Sequence, residues 1–338
     1  MRYWFTSLLL LLLVANTTLR ADPPPGYYDS AQGKAGPELL TALHAIIRAH
    51  HIVPYASSAV FDTSDALAVL DQNPADTNEV LLIYNGSNAL ASTFALATGW
   101  NREHQWPNSY GLDDVQPAFS DLHNLRACDA NVNSSRGNKY YDTTTTNGVG
   151  YSFPAHPEAP QCSTDFDSWE PRPEDRGNIA RSLFYMATRY TGDVPGEPHL
   201  ILTDQISLIQ STNAYMGRLS TLLAWHNADP VDATERQRND LIYSLYQTNR
   251  NPFVDHPEWV SLTFAPPATN PPLLEITRTT AGVQLTWLAT NQSSHLEFAT
   301  NLVGDWFTVS EIPTMTNVHF LVAYTNDAPA AFFRLRTQ

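Results

Sequence analysis

Basic charge is scarce in this chain of 338 residues. Lys and Arg together number 19 against 34 Asp and Glu, a formal charge of −15. A protein so acidic repels a phosphate backbone at long range, which argues against tight, sequence-specific binding of nucleic acid. It leaves room for an enzyme that meets a polyanion through a cation and a few local arginines. Cysteine is scarcer still, with only Cys128 and Cys162. Neither has a CxxC partner and no HExxH occurs, so the common zinc patterns are excluded. Charged residues make up 16% of the chain and hydrophobic residues 43%, a balance that disfavours disorder. After the first segment no apolar run is long enough to span a bilayer, which needs about 20 residues.

That first segment reads as a secretory signal over residues 1–21. Arg2 is the positive end, Leu8 to Val14 the apolar core, and Leu19-Arg20-Ala21 leads into Asp22-Pro23-Pro24-Pro25. Export to an oxidising compartment then predicts a single disulfide between Cys128 and Cys162, two free thiols being the alternative. Helical spacing of apolar residues predicts helices over Pro37–His50, Ala66–Leu70, Ile179–Tyr190, Leu219–Asn227 and Ala233–Tyr246. The run Glu79–Tyr84, stopped by Asn85-Gly86, predicts a buried strand and a turn. Residues 86–170 are rich in Asn, Ser, Thr, Asp, Pro and Gly and hold most of the polar chemistry. Four prolines within Phe264–Pro272 predict a stiff linker over 264–272. Beyond it the alternation in Gly282–Trp287, His295–Phe298 and the closing Phe332–Leu335 predicts a small all-β module, sandwich-like, over 273–338. The fold class expected is α+β, with residues 22–263 as the main domain.

Four blocks could carry chemistry. In Trp100-Asn101-Arg102-Glu103-His104-Gln105-Trp106-Pro107 the neighbours Glu103 and His104 point to opposite faces of an extended segment, so one could hold a metal while the other meets a water. Histidine suits proton abstraction from water near neutral pH, although any one of eleven histidines is more often structural. The second block runs Asp121-Leu122-His123-Asn124-Leu125-Arg126, then Asn131 to Asn138. It reads either as a loop satisfying its own backbone or as a source of hard oxygen ligands suited to Mg²⁺. The third, Asp175 to Tyr190, is core first, with Arg176, Arg181 and Arg189 as buttresses or phosphate contacts. The fourth holds Arg250 to Glu258, where Asp255, His256 and Glu258 are either metal ligands or parts of a rigid turn.

Taken together, NREHQWPNS, DLHNLRACDANVNSSRGN, RGNIARSLFYMATRY and RNDLIYSLYQTNRNPFVDHPE resemble, in order, the bacterial endonuclease I family of secreted and periplasmic nucleases, over about Tyr27 to Trp259. The resemblance implies a ββα-metal core in a mixed α/β domain. It also implies Glu103 and Asn133 as metal ligands, His104 as general base, and Mg²⁺, with Mn²⁺ as a substitute. The implied activity is hydrolysis of DNA, and of RNA as a further substrate, to 5′-phosphate ends by an extracytoplasmic enzyme. Asp121 and His123 are then supporting residues. The family pattern has a transition-state arginine between the first two blocks, but Gln105 to Ser120 contains none. Arg126 and Arg136 are the substitutes in view. Two readings from other classes stand beside this one, an inactive nuclease-like adhesion protein and a phosphoesterase acting on small substrates. The intact Glu103, His104 and Asn133 weigh against the first.

Overall fold

The computed structural model describes residues 22–57, 59–112, 114, 116–210, 213–265, 273–280, 282–288, 294–301, 304–311, 313–316, 319–325 and 331–337. The expected signal segment, and all of the expected linker but Phe264 and Ala265, lie outside them. Helices and strands are both present, an α+β mixture. Among the described residues no helix is long and apolar enough to cross a membrane.

The main core is built on the helix Pro173–Arg189, which opens with Pro173 in its first turn and has Glu174 and Asp175 beside the N-terminal amides. Leu183, Phe184 and Met186 are fully buried, and such side chains contribute roughly 1.5–3 kcal/mol each. Gly36–Ile47, Leu219–Ala228 and Trp259–Phe264 supply further buried side chains to the same core. The helix Thr63–Leu70 starts three residues earlier than its apolar spacing suggests. Asp62 and Asp65 close a reciprocal capping box there. The helix expected over Ala233–Tyr246 is α only to Leu241. It continues as a π-helix, Ile242–Gln247, and ends on Thr248 in the left-handed region.

Two strands emerge from the stretch that is loop-like in composition. Trp100–His104 and Leu125–Asp129 pair antiparallel, Glu103 opposite Arg126 and His104 opposite Leu125. The helix Ala130–Arg136 follows at once, because Asp129 caps it by accepting from the Asn131 and Val132 amides. The expected strand Glu79–Tyr84 is displaced to Asp76–Leu81. Leu82 to Tyr84 leave that ladder to meet the hairpin, Ile83 bridging to Cys128. Tyr84 ends the run at φ 76°, a conformation costly for a bulky residue. Gly86 follows at φ +63°, a left-handed conformation that favours glycine; a Cβ there would also push on the movable Arg172 guanidinium.

The expected disulfide is not formed. Cys128 and Cys162 are buried free thiols. The Cys162 thiol donates to the Tyr84 carbonyl at 3.2 Å and that of Cys128 faces the Ile83 carbonyl at 3.9 Å. Both are packed in the apolar core, and burial pushes the Cys162 thiol up to about 12 and that of Cys128 well above its ordinary value.

From Glu275 onward the regular elements among the described residues are strands, in two antiparallel sheets. One runs in the order Glu275–Thr279, Gly282–Leu288, His319–Tyr324, Thr314–Thr316, and the other Phe307–Thr308, Ser294–Ala299, Phe332–Thr337. Leu285, Trp287, Leu296, Val322 and Tyr324 form a buried cluster there.

Candidate active site

Alternation along Trp100–His104 sends Glu103 and His104 to different surroundings, as the extended reading requires. Glu103 is 2% exposed. Its Oε1 accepts from the Tyr84 hydroxyl at 2.5 Å and from Arg136 Nη1 at 2.9 Å. Tyr141 shares the Tyr84 hydroxyl at 2.5 Å and lies under the Arg136 guanidinium. Burial raises the Glu103 carboxyl above its ordinary value, against the pull of Arg136 and Tyr84. Both donors converge on one oxygen, and Oε2 takes no hydrogen bond from the described residues.

Asn133 has the same asymmetry. Its Nδ2 donates to Asn101 Oδ1 at 2.6 Å and to the Arg102 carbonyl at 3.0 Å. Those two acceptors settle which end of the amide is nitrogen and leave Oδ1 free. Glu103 and Asn133 are thus each held by one polar atom while the other oxygen is spare. A spare carboxylate oxygen and a spare amide oxygen suit a hard divalent cation whose shell is completed by water and phosphate. Among the described residues there is no cluster of three or more His, Cys, Asp or Glu able to hold a metal. Any cation here would therefore have few protein ligands.

On the other side of the strand, His104 stacks on Tyr55 and Phe119, with centroids 5.4 and 4.8 Å away. Its Nε2 meets the Phe119 carbonyl at 2.8 Å. Only an N–H can satisfy a carbonyl, so Nε2 carries the proton and Nδ1 keeps a lone pair. Burial lowers the ring to about 4, which keeps it neutral at pH 7. Arg102, on the same face as His104, lies 4.4 Å over Tyr55 and 4.7 Å over Phe94, with Nη2 3.4 Å from Asp62.

Arg136 is buried, and its donors go to Glu103 and to the carbonyls of His104 and Gln105. Arg126 faces Asp71 at 3.3 Å. Asp121 and His123 form a separate buried cluster. Asp121 Oδ2 accepts from Tyr185 and Tyr190, and its Oδ1 from the His123 amide and Gln247. That cluster braces the site through Asn124, whose side-chain amide accepts from the Trp106 N–H at 2.7 Å and donates to the Trp106 carbonyl at 3.2 Å. Arg176, Arg181 and Arg189 are buttresses, paired with Glu170, Glu235 and Glu197. Asp255, which ends the short helix Pro252–Asp255, is occupied by Arg250, Tyr28 and Asn239, and His256 stacks 4.0 Å from Trp259 and meets Glu258 at 3.1 Å, so these groups are engaged with protein partners.

Sequence reasoning missed Tyr55, Tyr84, Phe119 and Tyr141, which come from segments distant in sequence. It also gave Arg102 no role, although the two-residue step from Arg102 to His104 was a usable signal.

The endonuclease I family model matches residues 36–258. An extracellular ribonuclease of Bacillus amyloliquefaciens is 44% identical over 235 residues, 69% of this chain and 76% of the relative. An extracellular ribonuclease of Bacillus subtilis (strain 168) is 41% identical over 252 residues, 74% of this chain and 82% of the relative. Glu103, His104 and Asn133 all lie within the matched span. With a family match over most of its length and relatives this similar, the chain belongs to the endonuclease I family and is a nuclease.

Proposed function

We propose that the chain is an exported, metal-dependent endonuclease that hydrolyses phosphodiester bonds of DNA and RNA with little sequence preference. His104 is the general base, and Glu103 and Asn133 hold Mg²⁺, for which Mn²⁺ can substitute. The observation that carries this reading is the orientation of His104, with Nε2 tied to a carbonyl and Nδ1 open. In this proposal the hairpin Trp100–Asp129 with the helix Ala130–Arg136 is a ββα-metal unit inside a catalytic domain, residues 22–263. Residues 273–338 are an accessory β module joined by the 264–272 linker. Export is supported by the signal-like residues 1–21 and by the names of both relatives, extracellular ribonucleases.

His104 Nδ1 takes a proton from water, the water oxygen forms a bond to phosphorus, and the bond to the 3′ oxygen breaks. The 3′ oxygen leaves with the electron pair and takes a proton from solvent, giving a 5′-phosphate and a 3′-hydroxyl, and His104 returns its proton to solvent. Phe119 keeps Nδ1 unprotonated for this by fixing the tautomer, and Tyr55 and Phe119 fix the ring plane. Arg136 and Tyr84 keep the Glu103 carboxylate in one orientation with Oε2 outward. When bound, the cation supplies charge neutralisation at the phosphate and at the departing oxygen. The nucleophile is water and not the 2′-hydroxyl, so the chemistry is indifferent to the sugar. That reconciles relatives named ribonucleases with a site able to cut DNA.

The test uses supercoiled plasmid and a structured RNA, each with Mg²⁺ or with EDTA and no divalent ion. Both substrates should be cut with Mg²⁺, giving 5′-phosphate ends, and neither in EDTA. His104→Ala should lose about 10²–10⁴-fold in rate at saturating metal. Undiminished cleavage in chelator, or a wild-type rate for His104→Ala, overturns the mechanism.

A further inference from the structure

The charge on this molecule raises a question about how it holds its substrate. Arg102, Arg136, Arg181, Arg189, Arg238 and Arg250 all face carboxylates, and most of them are buried. Among the described residues these arginines are not free to grip a phosphate backbone, in a chain whose net charge is −15. A nucleic-acid enzyme lacking that attraction needs a contact that does not depend on charge. Stacking of bases on aromatic rings is such a contact, and it tolerates any sequence.

An aromatic pair suited to this lies on the segment that leads away from the base. Tyr55, stacked on His104, begins the segment. Thr63 returns a hydrogen bond to the Tyr55 carbonyl, and Asp62 ties the segment to the Ser57 and Ser64 amides and to Arg102. Immediately before Asp62, Phe61 is 48% exposed. Its ring stacks on Tyr246 with centroids 5.5 Å apart and planes 14° apart. Tyr246 comes from the π-helix Ile242–Gln247, an irregularity found often at functional sites. The backbone next to Tyr246 is pinned just upstream of that segment, where the His51 amide donates to the Gln247 carbonyl at 2.8 Å. Two rings from distant parts of the chain are therefore held nearly parallel, Tyr246 half-buried against Ile242 and its neighbours as the support and Phe61 exposed on it. The path back to His104 runs through Asp62, Arg102 and Tyr55.

We propose that Phe61 and Tyr246 form a stacking platform for unpaired bases of the substrate strand, a few nucleotides from the scissile phosphate. The proposal rests on the nuclease reading. It makes the preferred substrate single-stranded, because bases in a duplex have their faces covered. It places no requirement on the sugar.

The experiment measures binding apart from cleavage. Fluorescence anisotropy with Mg²⁺ is recorded for His104→Ala and for His104→Ala carrying Phe61→Ala, each with a labelled single-stranded oligonucleotide, the same strand with abasic sites, and the duplex. His104→Ala should bind the normal strand about tenfold or more tighter than the abasic strand or the duplex. Adding Phe61→Ala should erase that difference, Phe61→Trp should keep it, and Phe166→Ala, at an exposed ring elsewhere, should leave it intact. Equal affinity for normal and abasic strands in the Phe61 parent, or an undiminished difference after Phe61→Ala, overturns the platform. Absence of Mg²⁺-dependent cleavage by the wild type would instead sink the nuclease mechanism, so the two failures are separate.

Discussion

Two buried carboxylates within one family motif region have opposite fates. Glu103 and Asp121 are 2% and 1% exposed, and each accepts from tyrosine hydroxyls, Glu103 beside Arg136 and Asp121 beside His50 and His123. Asp121 spends both oxygens: Tyr185 and Tyr190 donate to Oδ2, with His50 4.0 Å away, and the His123 amide and Gln247 donate to Oδ1. Burial pushes Asp121 up, but His50, His123 and the hydrogen bonds outweigh it and its carboxyl sits below the ordinary value. At Glu103 the donors crowd onto one oxygen and burial prevails, so its carboxyl is raised. A saturated buried carboxylate is a strut. One with a spare oxygen has a deficit that a cation or a proton fills.

Exchanging charge for amide gives the largest expected effect. Glu103→Gln keeps an oxygen for Tyr84 and Arg136 and relieves the burial of a charge, so the melting temperature should move little. Mn²⁺ affinity, measured by calorimetry, should fall more than about 100-fold, beyond what loss of a merely supporting residue costs. Asp121→Asn should do the reverse. Its new N–H₂ group must face donors, at a cost of about 2–4 kcal/mol in denaturant unfolding. Activity per folded molecule should stay within about threefold. Matching losses of metal affinity in both variants would break the distinction.

A smaller effect isolates the donors that make Glu103 asymmetric. Tyr84→Phe removes the hydroxyl shared with Glu103 and Tyr141 while keeping the ring and the backbone preferences at φ 76°. The carboxylate is then held by Arg136 alone, and Mn²⁺ affinity should drop about 10–100-fold. Circular dichroism should be unchanged. Wild-type affinity would show that Arg136 suffices to orient Glu103.

The sequence revealed these regions unevenly. Helices were legible because their apolar faces repeat, and their errors sit where side chains decide the ends, as at the Asp62–Asp65 capping box or where Leu241 passes into the π-helix. Glu103, His104 and Asn133 were named as candidates from the family motif, and strand alternation separated Glu103 from His104. The partner set of each carboxylate was not. Tyr84 reaches Glu103 from another segment, and Tyr185 and Tyr190 reach Asp121 from the central helix, contacts that only the fold defines. The cysteines failed for a related reason. Export raises the odds of a disulfide, but Cys128 and Cys162 pack as small apolar groups whose thiols face backbone carbonyls.

The smallest effect expected is in the pH dependence of stability, and it reports on the strut. His123 lies beside Asp121, yet burial outweighs that charge and lowers its ring to about 4. His226 is likewise lowered to about 4, by burial and then by Arg181, and His50 is lowered as well. Unfolded histidine titrates near 6.5. Between the two values the unfolded chain takes up protons that the folded chain refuses, so stability is complete above about pH 6.5 and declines as pH falls. Raised carboxyls such as Glu103 and Glu235 act in the opposite sense, but only near and below their own titration range. Comparing wild type with His123→Gln between pH 7 and pH 5 therefore separates this histidine from those carboxyls, which both proteins share. His123 alone should remove about 2 kcal/mol across that interval. Urea unfolding at pH 7 and pH 5 measures the loss, and His123→Gln should make the curve flatter by about that amount. If wild type and His123→Gln lose stability equally, His123 takes its proton in the folded state and the Asp121 cluster is more open to water than its burial indicates.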